Sequence, residues 1–122
     1  MLLVIDLGNT NLTLGLYAGE ELRLHWRLAT DPLRMPDEYG IQMLTMLEHG
    51  GCRPEELSGI CFSSVVPPLT ERIVQACQTY LQRTPLVVDC ALNLGIRIAY
   101  DDPKAVGGDR LADAAAAWKL YG

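Results

Sequence analysis

Leu2-Leu3-Val4-Ile5-Asp6-Leu7-Gly8-Asn9-Thr10-Asn11-Leu12-Thr13-Leu14-Gly15-Leu16 is the stretch on which the fold turns. Its first segment, Leu2 to Leu7, is almost continuously apolar, the pattern of a short strand buried on both faces, and Gly8-Asn9-Thr10-Asn11 is a turn cluster that ends it. Beyond the turn, Leu12, Leu14 and Leu16 alternate with Thr13 and Gly15, which is period two. Ala18-Gly19-Glu20 then turns the chain into Leu22, Leu24, Trp26 and Leu28, with Arg23, His25 and Arg27 between them. The three segments read as an antiparallel meander.

The periodicity changes after the meander. Pro36 at a first helical position, followed by Asp37 and Glu38, opens a segment whose apolar residues are Tyr39, Met43, Met46 and Leu47, and Gly50-Gly51 closes it. Ile60 to Val66 reads as a strand, Pro67-Pro68 opens a helix carrying Leu69, Ile73, Cys77, Tyr80 and Leu81, and Pro85 to Asp89 is a further short buried strand. After an irregular stretch, Leu111, Ala114, Ala115 and Trp118 fall at helical spacing. The order β-β-β-α-β-α-β-α predicts an α/β fold with a mixed sheet, three antiparallel strands and then parallel strands joined by crossover helices on both faces. That is the ribonuclease-H-like layout, also used for each half of the sugar-kinase, Hsp70 and actin superfamily. Fold alone does not choose a function within it.

Composition narrows the choice. The 122 residues hold 10 Lys plus Arg against 15 Asp plus Glu, a net charge of −5, and 49% are hydrophobic. This is enough apolar material for a core, so disorder is excluded, and residues 1–122 read as one domain without repeats or linkers. An acidic chain without a Lys/Arg run is poorly suited to phosphate backbones or anionic lipid, so nucleic acid and membrane partners are not expected. Cys52, Cys61, Cys77 and Cys90 are too widely spaced for a Cys-x-x-Cys pair and read as small thiols in a reducing compartment. With no basic n-region at the start and no apolar run of about 18 residues, the expected location is cytoplasmic.

Two motifs carry chemistry. In the first turn, Gly8 lets a phosphate chain approach the backbone while Asn9, Thr10 and Asn11 add side-chain donors, and Asp6 at the strand end can hold magnesium through water. The same residues also suit a plain hairpin turn. The second motif is Asp101-Asp102-Pro103-Lys104-Ala105-Val106-Gly107-Gly108-Asp109-Arg110, which leads into the last helix. Asp109 can accept a hydroxyl proton and Arg110 can grip an anion, although Asp109 also fits a simple helix N-cap. His25 and His49 have no ligand-spaced partners, and Ser63-Ser64 lacks a Gly-x-Ser-x-Gly elbow.

Taken together, Asp6-x-Gly-Asn-Thr and Asp102-Pro-x-x-Val-Gly-Gly-Asp-Arg resemble the type III pantothenate kinases, related to the Bvg accessory factor, and the similarity extends through the chain. The resemblance implies ATP-dependent phosphorylation of pantothenate to 4'-phosphopantothenate, the first step of coenzyme A biosynthesis, with Mg2+ and a monovalent cation, K+ or NH4+. It implies that Asp6, Leu7, Gly8, Asn9, Thr10, Asn11, Leu12 and Thr13 form the first ATP-phosphate segment. Tyr100, Gly107, Gly108, Asp109 and Arg110 would contact pantothenate, with Asp109 the catalytic base. Gly108 stands where the family more often has Ala or another small residue.

The resemblance further implies a homodimer built from two-half subunits. Residues 1–122 would be the first half, and the cation ligands and adenosine pocket would lie in the second, so the 122-residue chain alone is expected to be inactive. Two other readings compete. One is a non-catalytic half domain that binds a nucleotide or partner and regulates. The other is a ribonuclease-H-like nuclease, disfavoured because Ile60 to Val66 ends in serines rather than an acid.

Overall fold

The computed structural model describes residues 1–88. Its elements are β1 (Leu2–Leu7), β2 (Asn11–Ala18), β3 (Glu21–Ala29), α1 (Pro36–His49), a single 3-10 turn (Pro54–Glu56), β4 (Gly59–Ser64), α2 (Pro67–Tyr80) and β5 (Leu86–Val88). They form one five-stranded sheet in the order β3-β2-β1-β4-β5. Strand β1 pairs antiparallel with β2 and parallel with β4, while β2–β3 is antiparallel and β4–β5 parallel. The mixed sheet is therefore the ribonuclease-H-like arrangement that the apolar periods predict. The expected last helix and the motif around Asp109 lie outside the described residues.

The central strand explains its own composition. Leu3, Val4, Ile5 and Leu7 are fully buried, and removing a side chain of that size from water is worth about 1.5–3 kcal/mol. A strand flanked on both edges and covered on both faces has no use for alternation, which is why β1 is nearly all apolar. Leu3, Ile5 and Leu7 share one face with their partners Leu16, Leu14 and Leu12 and with Ile60 and Phe62 of β4. Tyr39, Met43 and Leu47 of α1 and Leu69, Ile73, Ala76 and Cys77 of α2 join the same cluster. Both described helices thus cover one face of the sheet; the third helix that the sequence predicts lies outside the described residues. The apolar stripe of a helix shows that it packs, not on which side.

Local details follow from the same chemistry. Strand β4 ends at Ser64, two residues before the apolar run does, because Val66 serves as the residue before α2 and Pro67-Pro68 cannot continue a ladder. Helix α1 starts with Pro36, and the Glu38 carboxylate accepts the Met35 N–H at 3.0 Å. It stops where Gly51 takes a φ of 81° and the Cys52 N–H reaches back to the Leu47 carbonyl at 2.9 Å. Cys52, Cys61 and Cys77 are buried and reduced; burial pushes the Cys61 and Cys77 thiols up to about 12, so both stay protonated at neutral pH.

Tyr80, which falls at helical spacing on α2, is only half-buried. Its ring lies against Gly40 of α1, and its hydroxyl donates to the Asp37 carboxylate at 3.0 Å. A methyl at position 40 would stand 2.7 Å from the Tyr80 Cγ. In most helices Gly→Ala gains about 1 kcal/mol, but here Gly40→Ala should cost about 1–3 kcal/mol through the displaced ring. In a Tyr80→Ala background the same change should become stabilising. Urea midpoints of the four members of this double-mutant cycle check the reversal, and an unchanged sign would mean that the helices do not meet through Gly40.

Candidate phosphate-binding site

The connection between β1 and β2 consists of Gly8, Asn9 and Thr10. Two of its carbonyls, and those of the flanking strand residues Leu7 and Asn11, accept protein donors. The Leu7 carbonyl accepts the Val65 N–H at 3.0 Å, Gly8 the Thr30 hydroxyl at 2.7 Å, Thr10 the Thr30 N–H at 2.9 Å, and Asn11 the Gly8 N–H at 2.9 Å. Carbonyl oxygens repel an anion, so engaging those of residues 7, 8, 10 and 11 removes the groups that would oppose one. The side chains of Asn9, Thr10 and Asn11 are exposed and offer an amide, a hydroxyl and a second amide as donors.

Gly8 is informative because the fold does not demand it. It is absent from the residues of positive φ, and a Cβ built there would meet only the Asn11 carbonyl, at 3.4 Å. A small side chain could therefore be carried by the turn itself. A glycine at this half-buried position leaves room beside the backbone, although the Gly8 N–H is itself spent on the Asn11 carbonyl.

Asp6 lies one residue inside the strand end, at 5% exposure. In register it faces Thr13 of β2, itself a buried polar residue, and Ser63 of β4. Directly paired residues share a sheet face, so Thr13, Asp6 and Ser63 form a polar row on the face opposite the described helices. The row sits at the carboxyl ends of the parallel strands β1 and β4, the usual place for a ligand in an open α/β sheet. One carboxylate flanked by hydroxyls is a hard oxygen set that suits a magnesium ion keeping most of its waters.

The start of α2 is the obvious alternative anion site, and its chemistry is poor. Pro67 and Pro68 carry no N–H, and the Leu69 N–H is spent on the Val66 carbonyl at 3.0 Å. Ser64 holds this junction together, its Oγ accepting the Val66 N–H at 3.0 Å and lying 2.9 Å from the Thr70 hydroxyl. Ser64 thus closes the end of β4, whereas Ser63 takes its place in the row with Asp6. Only the β1–β4 register reveals that placement, since 57 residues of sequence separate the two.

Among the described residues no group of three or more His, Cys, Asp or Glu side chains is placed to hold a metal ion. A two-metal nuclease centre is therefore not found among those residues, nor is such a group around His25 or His49. Tyr100, Gly107, Gly108, Asp109 and Arg110 fall outside the described residues. The family model for type III pantothenate kinase matches residues 2–122. The chain belongs to the type III pantothenate kinase family. A type III pantothenate kinase of Halalkalibacterium halodurans is 44% identical over 122 residues, which is 100% of this chain and 48% of that protein. The chain spans about half the length of this curated relative. No helix among the described residues of this family member is long and apolar enough to cross a membrane.

Proposed function

We propose that the protein to which this chain belongs transfers the γ-phosphate of ATP to the primary hydroxyl of pantothenate, giving 4'-phosphopantothenate. The observation that carries the reading is the β1–β2 turn, with four carbonyls bonded inward, donor side chains outward and a glycine that the fold itself does not require. Family membership supplies the substrate pair. In this account residues 1–122 are the first of two halves of a cytoplasmic, homodimeric enzyme, and the second half holds the monovalent cation, K+ or NH4+, and the adenosine pocket.

The residues divide the work along chemical lines. Asp6 to Thr13 form the phosphate segment, with Gly8 leaving room beside the turn and Asn9, Thr10 and Asn11 donating to phosphate oxygens. Asp6 holds magnesium through water, and the bound ion would neutralise phosphate charge. Tyr100 and Gly107 to Arg110 bind pantothenate, Asp109 orients and accepts the hydroxyl proton, and Arg110 holds an anionic substrate group. Phosphoryl transfer passes through a loose transition state, so positioning and charge neutralisation carry most of the acceleration.

The test is a magnesium titration of the full-length kinase carrying Asp6→Asn. The amide keeps the shape of Asp6 but loses the charge, so half-maximal activity should require about tenfold more magnesium. Identical titration curves for Asp6→Asn and the parent would reduce the segment to an ordinary hairpin.

A further inference from the structure

Thr30 follows β3 directly and makes two bonds to the β1–β2 turn. Its N–H donates to the Thr10 carbonyl at 2.9 Å and its hydroxyl to the Gly8 carbonyl at 2.7 Å. These carbonyls flank Asn9, so one residue fixes both ends of the three-residue connection. We infer that Thr30 is a positioning residue for ATP, holding the Gly8 carbonyl away from the phosphates and fixing the turn in its receiving shape. The inference rests on the reading of this turn as the phosphate segment.

The strut behind Thr30 is rigid for reasons visible in the fold. A β-branched side chain has few χ1 options, and Thr30 is half-buried. The next residue, Asp31, is tied to the core by both backbone groups: its N–H reaches the Tyr39 hydroxyl at 3.1 Å, and its carbonyl accepts that hydroxyl at 2.7 Å. Tyr39 is fully buried in α1. From α2, the Arg72 guanidinium reaches over to the Pro32 and Arg34 carbonyls at 2.7 and 2.9 Å. Both helices therefore hold the segment that holds the turn. A hydroxyl on such a support presents its proton to Gly8 at little entropic cost, the condition under which a single hydrogen bond matters to a neighbouring site.

Thr30→Val keeps the shape and removes the hydroxyl, leaving the Gly8 carbonyl without that donor. In the full-length kinase it should raise the KM for ATP about five- to tenfold, the scale of one hydrogen bond, with the KM for pantothenate changed less than about twofold. Thr30→Ser restores the hydroxyl and should bring the ATP KM back to within about twofold of the parent. Should Thr30→Val not fold, Thr30→Ala removes the same group and takes its place. An unchanged ATP KM, a parallel rise in both KM values with a fall in melting temperature, or failure of Thr30→Ser to rescue would each overturn the inference. Gly8→Val, measured alongside, separates the two levels. If it raises the ATP KM while Thr30→Val does not, the turn binds phosphate and Thr30 does not position it. If neither variant moves the ATP KM, the phosphate reading falls and the role of Thr30 falls with it.

Discussion

Asp109→Asn in the full-length kinase should lower kcat by about 10² or more while leaving the melting temperature within a few degrees of the parent. A carboxamide keeps the size and hydrogen-bonding reach of the carboxylate but cannot take a proton. The magnitude separates two readings of the same residue. Asn caps a helix about as well as Asp, so an Asp109 that only capped the last helix would give a nearly silent variant. At the helix N-terminus that the sequence predicts, carboxylate charge would be stabilised and Asp109 would be a weak base. That would penalise a reaction needing early deprotonation, but a loose phosphoryl-transfer transition state demands little of it, so a weak, well-placed carboxylate suffices. Near-normal turnover with normal stability would remove the catalytic-base role and leave the cap.

Gly8→Val should raise the KM for ATP at least about tenfold, and more if two phosphate contacts are lost, with little change in pantothenate binding. The physical basis is the space around residue 8. The backbone there does not have positive φ, and the only atom within reach of a new Cβ is the Asn11 carbonyl at 3.4 Å. The folded chain has room for a Cβ there, so the fold is expected to survive, whereas a phosphate approaching the same backbone would meet two methyl groups. Charge-assisted hydrogen bonds to phosphate contribute roughly 1.5–3 kcal/mol each, so holding the phosphate off by a methyl's width forfeits a tenfold factor or more. Thermal unfolding and ATP kinetics on the same preparation check the prediction. A Gly8→Val enzyme that unfolds early and binds both substrates poorly would show that the glycine serves the hairpin alone.

Most of the fold was legible because it is written in short periods. Leu12, Leu14 and Leu16 show the alternation of β2, and Tyr39, Met43 and Leu47 the spacing of α1, so element type follows from local pattern. Which sheet face α1 and α2 cover is not legible from their periods, because an apolar stripe shows that a helix packs but not on which side. The 3-10 turn at Pro54–Glu56 went unread since three residues contain no period. Tyr80 falls at helical spacing, yet its place is decided by a gap at Gly40 on another helix.

The candidate site divides in the same way. Asp6, Gly8, Asn9, Thr10 and Asn11 are adjacent in sequence and announce a turn with donors. Thr30 and Ser63 reach the site through strand pairing across 22 and 57 residues, and nothing in their own neighbourhoods marks them. A polar residue just beyond a predicted strand is the available signal, but it is common to most strands. Pairing distinguishes a strand-end serine that closes a junction, Ser64, from one aligned with a carboxylate, Ser63.

The central claim, that this chain supplies the phosphate segment of a pantothenate kinase, is tested most directly by following the γ-phosphate. Full-length kinase carrying this sequence, purified free of other pantothenate kinases, is given γ-labelled ATP, magnesium, a K+ or NH4+ salt and pantothenate, and the products are separated. The account predicts labelled 4'-phosphopantothenate, formed mole for mole with ADP and reduced at least tenfold by Gly8→Val at limiting ATP. Folded protein that binds ATP yet leaves pantothenate unlabelled would contradict it and favour a regulatory nucleotide-binding protein.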